Sequence, residues 1–303
     1  MAADRPPMAF ERLPAARGRE WLRDAFRMVS QARLPWLMLL LLYYLVLGIV
    51  DLVPLLGQIA APLLKPVLSV GFLAAAWSQE RGGTPELKHM FVGFRSNLWA
   101  LLPLGMVFFA GITLAILGTA LVDDGKLVDA LSGKVRIDDT LLADGDVQLA
   151  MLFAAACALP VMMALWFAPA LVVFQDCGAR QALGASLAAA IANWRPIALY
   201  GLLVFFWGGV VPGLAMALIT LVAPASLALG IAIVVLLPYL FLFIAVLHVS
   251  DYVSYRDIFH HQEPAAEAAT PETQKWGPVK LGQTLLFGRA LRRSAGTSWK
   301  SSV

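Results

Sequence analysis

The stretch LWALLPLGMVFFAGITLAILGTALV, residues 98–122, contains no charged side chain. An α-helix rises about 1.5 Å per residue, so about 20 such residues cross the ~30 Å hydrocarbon of a bilayer. Five further stretches are predominantly apolar, with Asp51 and Lys65 as their charged side chains: Trp36–Val53, Ile59–Trp77, Val147–Phe174, Pro196–Val222 and Ala225–Val249. Backbone N–H and C=O groups find no water in lipid and must pair within their own segment, which makes these helices and not strands. The expected fold is all-α, a polytopic membrane helix bundle of six spans with amphipathic interfacial helices on its cytoplasmic side. Spans one and two are short and joined by the tight Pro54–Gly57 turn, so they read as a helical hairpin or a re-entrant pair. Only Ala223 and Pro224 separate spans five and six, again a hairpin.

Composition agrees. Apolar side chains make up 60% of the 303 residues and charged ones 14%, with a mean hydropathy of +0.75; soluble domains are about 45–50% apolar even with glycine counted. The net charge of +3 leaves no basic domain to suggest a nucleic-acid partner. Cys157 and Cys177 lie in or beside apolar runs, without a CxxC or clustered histidines, so they read as inert thiols. No motif calls for a cofactor, a metal or a catalytic residue. The first apolar run starts near Trp36 after a charged lead, a pattern expected of a retained signal anchor and not of a cleaved signal peptide.

Orientation follows from Lys and Arg. The N-terminal lead, the loops after spans two and four, and the tail together carry 19 of the 23 Lys and Arg residues; the loop after span three carries Lys126, Lys134 and Arg136. Both termini are therefore expected in the cytoplasm. The loop after span three, with seven aspartates from Asp123 to Asp146, is expected outside as a solvated acidic loop. It has no glutamate to close a calcium site in bidentate fashion.

Gly18–Gln31 places Trp21, Leu22, Ala25, Phe26 and Val29 on one helical face and Arg19, Glu20, Arg23, Asp24 and Arg27 on the other. This pattern suits a helix lying in the headgroup layer. Pro85–Asn97 and Ala179–Asn193 resemble it. Leu22, Leu87 and Leu183 can be set in register, followed four residues on by Phe26, Phe91 and Leu187. The domain reading is a lead at 1–17, a membrane domain at 18–260 with three copies of interfacial helix, span, span, and a largely disordered tail at 261–303. Within that tail Leu285–Leu291, followed by Arg292 and Arg293, could touch the membrane transiently.

Few residues could carry chemistry. Lys65 is the one charge well inside an apolar run, and such charges are costly and often functional. It is about two turns from the outer end of its helix, so snorkelling or an ion pair with Asp51 across the hairpin competes with a transport or proton-relay role. Gln175, Asp176, His248 and Asp251 fall at the inner ends of spans four and six, as a polar cluster or as ordinary helix ends. Arg33, Arg95 and Arg195 stand just before spans one, three and five, where they can hold anionic lipid headgroups. Asn97 and Asn193 beside them can satisfy backbone groups or bridge helices. The run Trp207–Gly213, with Gly208, Gly209, Pro212 and Gly213, is the best candidate for an unwound segment.

Several motifs carry a resemblance: Pro54-Leu55-Leu56-Gly57; Gly82-Gly83 followed by His89-Met90-Phe91-Val92-Gly93-Phe94-Arg95; Ala168-Pro169-Ala170-Leu171; Ala182-Leu183 with Ser186; and Asn193-Trp194-Arg195-Pro196 with Tyr200-Gly201. On these, residues 10–260 resemble a family of six-span inner-membrane proteins of Burkholderia-type betaproteobacteria. The later part is distantly similar to the membrane domain of some glycerophosphodiester phosphodiesterases, without the catalytic domain that accompanies it there. The resemblance implies location and fold and supplies no activity.

Three functions remain open from sequence. A non-enzymatic protein organising lipid or partner proteins should be a packed, dry bundle. A small-solute transporter or channel needs a polar cavity at the midplane. A lipid-modifying enzyme needs a groove lined by His248, Asp251 and Gln175 at the inner interface. The lipid bilayer, with its anionic headgroups, is the one partner the sequence points to.

Overall fold

The computed structural model describes residues 9–54 and 56–259; the tail beyond Phe259, including Leu285–Leu291, lies outside the described residues. Helices and turns, with no strand, make up the described residues, and six helical stretches are long and apolar enough to cross a membrane. The N-terminal helix Arg17–Gln31 breaks at Ala32 and leads straight into the first span, Arg33–Asp51. Its 19 residues rise about 28 Å, which is span length. The second span, Leu56–Glu80, contains Pro62 and Pro66 yet stays helical, as membrane helices permit when neighbours satisfy the freed groups. The third, Leu98–Gly118, runs on as Ala120–Asp123. The fourth, Gly145–Trp166, breaks at Phe167 and resumes as Ala168–Phe174, with Pro169 at its start.

Helix Ala179–Ala192 leads into the fifth span, which is α-helical over Trp194–Phe205, forms a π turn over Phe206–Val210, and continues as Val211–Val222. The sixth span, Ala225–Phe259, is a single helix. It continues ten residues past the expected end at Val249, because Asp251, Arg256 and Asp257 ride on a helix that extends beyond the apolar run. The π turn falls at the glycine-rich run read as a candidate for unwinding. The chain there changes its hydrogen-bond register and does not open.

The second span is the most enclosed, with 56% of its apolar window buried, whereas the fifth has 6%. Leu68 and Phe72 on it, and Leu101, Leu104, Leu171 and Val253 on the helices packed against it, are fully or almost fully buried. Without a hydrophobic drive between helices in lipid, close approach supplies the packing. A Cβ on Gly105 would stand 2.5 Å from the Leu63 Cα, so the second and third spans touch backbone to backbone there. The same holds for Gly18, whose Cβ would stand 2.1 Å from the Pro196 carbonyl oxygen.

Each pair of spans is preceded by a short helical segment, but the three differ. The middle one is a 3₁₀ turn, Leu87–Phe91, followed by Val92–Arg95. Three residues after each aligned leucine stand Ala25, Met90 and Ser186, all fully buried. In the N-terminal helix Trp21, Ala25 and Val29 are buried against protein, chiefly the fifth and sixth spans, and Phe26 is 53% exposed. Most of the stripe is thus used for docking on the bundle, with Phe26 left exposed.

In the acidic loop the aspartates act largely on their own backbone. Asp138 accepts from the Thr140 and Leu141 amides, and Asp144 from those of Asp146 and Val147, as helix N-caps do. Lys126 Nζ reaches Asp144 at 2.7 Å and Asp146 at 3.4 Å. The lysine, aided by the Asp146 and Val147 amides, holds the Asp144 carboxyl below its ordinary range.

Candidate functional site

Lys65 and Asp51 are not paired. Lys65 is exposed, with Nζ 5.3 Å from the centre of the Phe108 ring on the third span. Nine residues into the second span, it stands roughly 13 Å along the axis from the turn, while Asp51 is the last residue of the first span. It also faces the third span and not the first. Nothing therefore hangs on an ion pair. Lys65→Met should shift the detergent-solubilised melting free energy by no more than about 1 kcal/mol, the scale of an exposed cation–π contact. Asp51→Leu should be no worse, and a loss for Asp51→Leu several times larger than for Lys65→Met would restore the pair.

His248 is half-buried and enclosed by rings. It stacks on Phe72 at 4.0 Å with planes 4° apart, and meets Tyr43 edge-on at 5.5 Å. It thus joins the first, second and sixth spans. Gln175 is half-buried and Asp176 exposed at the end of the fourth span, where Phe174 packs on Tyr252 and Tyr255. No hydrogen bond among the described residues joins Gln175 to His248 or Asp251. Arg33, Arg95 and Arg195 are all exposed at the starts of their spans, with Arg195 against the Trp194 ring at 5.5 Å.

A polar network unforeseen from sequence ties the same end of the bundle together. The buried Asp257 carboxylate accepts from the Trp21 indole N–H at 3.1 Å, from Arg17, and from Arg256 at 3.0 Å. Arg256 also donates to Glu80, which accepts from the Tyr252 hydroxyl. Trp36 Nε1 donates to Gln79 Oε1 at 2.8 Å, and Gln79 Nε2 donates to the Met28 carbonyl at 2.7 Å. Asn193 does what its position allowed: Oδ1 accepts from the Leu13 amide at 2.8 Å and Nδ2 donates to the Glu11 carbonyl at 2.9 Å. The Glu11 amide in turn donates to the Ile258 carbonyl at 2.9 Å. Nearby, burial lowers the His89 basicity, opposed by the charge of Glu86; its Nδ1 accepts from the Glu86 amide at 2.9 Å. The signal in the sequence was an acid, Asp257, set among Val253, Tyr252, Tyr255 and Ile258 at helical spacing.

Beside this network the N-terminal helix and the fifth and sixth spans enclose a groove of about 520 Å³. Leu22 and Phe26 form one wall, Leu203 and Trp207 another, and Leu242, Phe243 and Val246 a third, with Tyr239 at the far end. Arg19 and Arg23 stand at its edge. Sequence reading passed over it because its walls come from segments far apart in the chain.

The chain matches no protein-family model, and no solved structure matches it. It is 30% identical over 258 residues to a probable inner membrane protein of Burkholderia thailandensis, a match covering 83% of this chain and 94% of that protein. With six apolar helices of spanning length, that match sets the chain in place: it belongs to the family of this Burkholderia protein and is an integral, multi-pass inner-membrane protein.

Proposed function

We propose that the protein is a non-enzymatic membrane component that engages anionic lipid at the cytoplasmic leaflet through its basic end, with both termini in the cytoplasm. The observation that carries this reading is the concentration of exposed arginines, Arg19, Arg23, Arg27, Arg33, Arg95 and Arg195, around the end where the N-terminal helix docks. Cationic residues within a Debye length of an anionic leaflet contribute about 1 kcal/mol each. Three units of helical segment plus two spans form part of the reading, supported by the common buried position at Ala25, Met90 and Ser186. The distant similarity of the later part to a phosphodiesterase membrane domain is a reading of motifs alone. Lys65 on the Phe108 ring and His248 between Phe72 and Tyr43 are accounted for by packing, which favours this reading over a transporter or a lipid-modifying enzyme.

Reporter fusions that fluoresce only in the cytoplasm should light up at Val303 and stay dark at Gly133; the reverse pattern overturns the orientation. Deleting the protein should alter the phospholipid profile of the host membrane, and re-expression should restore it. An unchanged profile overturns the lipid role.

A further inference from the structure

The groove between the N-terminal helix and the last two spans is built around the π turn. π turns interrupt the helical ladder and recur at functional sites. Here the Trp207 carbonyl accepts from the Tyr239 hydroxyl at 2.6 Å, so a backbone group at the turn is satisfied by the neighbouring span and the wall stays apolar. A Cβ on Gly208 would stand 2.6 Å from the Phe243 ring, so only glycine lets that ring lie on the backbone. The groove opens on the flank of the bundle, where Phe26 and Trp207 are about half exposed. Its rim is different. Arg19 and Arg23 are one helical turn apart, on one face, and both are exposed. Neither makes an ion pair with a carboxylate among the described residues.

Two like charges at that spacing repel, and they gain when an anion sits between them. Guanidinium forks match phosphate oxygens in bidentate fashion. A volume of 520 Å³ falls within the about 300–1,000 Å³ of ligand sites. An apolar slot open to the bilayer, closed at its polar end by paired arginines, suits a molecule with an apolar chain and an anionic head. We propose that the groove seats one acyl chain of an anionic phospholipid taken from the surrounding leaflet, with its phosphate held between Arg19 and Arg23. This deepens the lipid reading above and takes from it only that lipid is the ligand.

The test uses the full-length protein in nanodiscs of phosphatidylcholine with a minority of phosphatidylglycerol, followed by native mass spectrometry of the lipid that stays bound. The wild type should retain one phosphatidylglycerol. Arg19→Gln with Arg23→Gln, both on exposed positions, should lose the preference for phosphatidylglycerol over phosphatidylcholine by about tenfold, the scale of one charge-assisted contact. Val246→Trp, which fills the slot, should lose retained lipid of either kind, while a thermal melt confirms that it folds. If the double arginine variant keeps its phosphatidylglycerol, or the wild type retains both lipids alike, the proposal is overturned. Reversed topology fusions would change the leaflet concerned and leave these retention results as they are, so the two readings fail separately.

Discussion

Asp257→Ala should lower the unfolding free energy by about 3 kcal/mol, the scale for stripping one partner from a buried ion pair. The carboxylate serves three donors, Trp21, Arg17 and Arg256, and is itself buried. Removal leaves the Trp21 N–H unsatisfied and takes one of two counter-charges from each guanidinium, Arg17 keeping Glu20 and Arg256 keeping Glu80. The arginine side chains are 27% and 32% exposed and recover part of their hydration, which holds the loss to the lower end of the 3–5 kcal/mol range. Asp257→Asn keeps an acceptor and the shape, so it should cost about half as much. Trp21→Phe removes the N–H together with part of a fully buried ring, and should cost about 2 kcal/mol. Unfolding in mixed micelles measures all three, and a double-mutant cycle between Arg17 and Asp257 isolates their coupling. If Asp257→Ala melts like the wild type, the network does not hold the N-terminal helix.

Gly105→Leu should be as damaging, about 3 kcal/mol, by a different route. The second and third spans meet where the added Cβ would lie 2.5 Å from the Leu63 Cα and 2.7 Å from its carbonyl oxygen. Backbone cannot rotate away as a side chain can, so the spans must separate, and overpacking of this kind costs at the upper end of the usual range. Gly48→Leu and Gly230→Leu provide the contrast, because nothing lies within 4 Å of a Cβ at either position. Both should stay within about 0.5 kcal/mol of the wild type. Equal losses at all three glycines would mean that close crossing at Gly105 does not set the effect, since leucine is the better helix former at each.

The spans were legible because lipid imposes a simple rule, some 20 largely apolar residues, that each of the six meets with Lys65 as the one charge well inside. Their ends were less so. The sixth span reads as closing at Val249, with Asp251 at its inner end, since an apolar pattern cannot tell a helix that stops from one that runs on, as this one does to Phe259. The amphipathic face of the N-terminal helix was also legible. Its partner was not, because Trp21, Ala25 and Val29 at helical spacing fit a bilayer surface and a protein groove equally well. Lys65 was matched to Asp51 across the hairpin from about two turns in, with no signal for which way around its helix it faces; it lies over Phe108 on the third span. The polar network escaped because Trp21 and Asp257 stand 236 residues apart, a separation that local patterning never samples.

That separation has a consequence for how the molecule is made. The helix that seals the bundle is synthesised well before its anchor: Arg17 and Asp257 are 240 residues apart. At roughly 5–20 residues per second of translation, at least about 12 s pass between them. Until the fifth and sixth spans are made, Trp21, Ala25 and Val29 have no docking site, and an amphipathic basic helix can wait at the bilayer surface where a plain apolar one would insert or aggregate. A nascent chain that stops before the fifth span never withdraws this stripe. Its continued exposure distinguishes an unfinished molecule from a finished one.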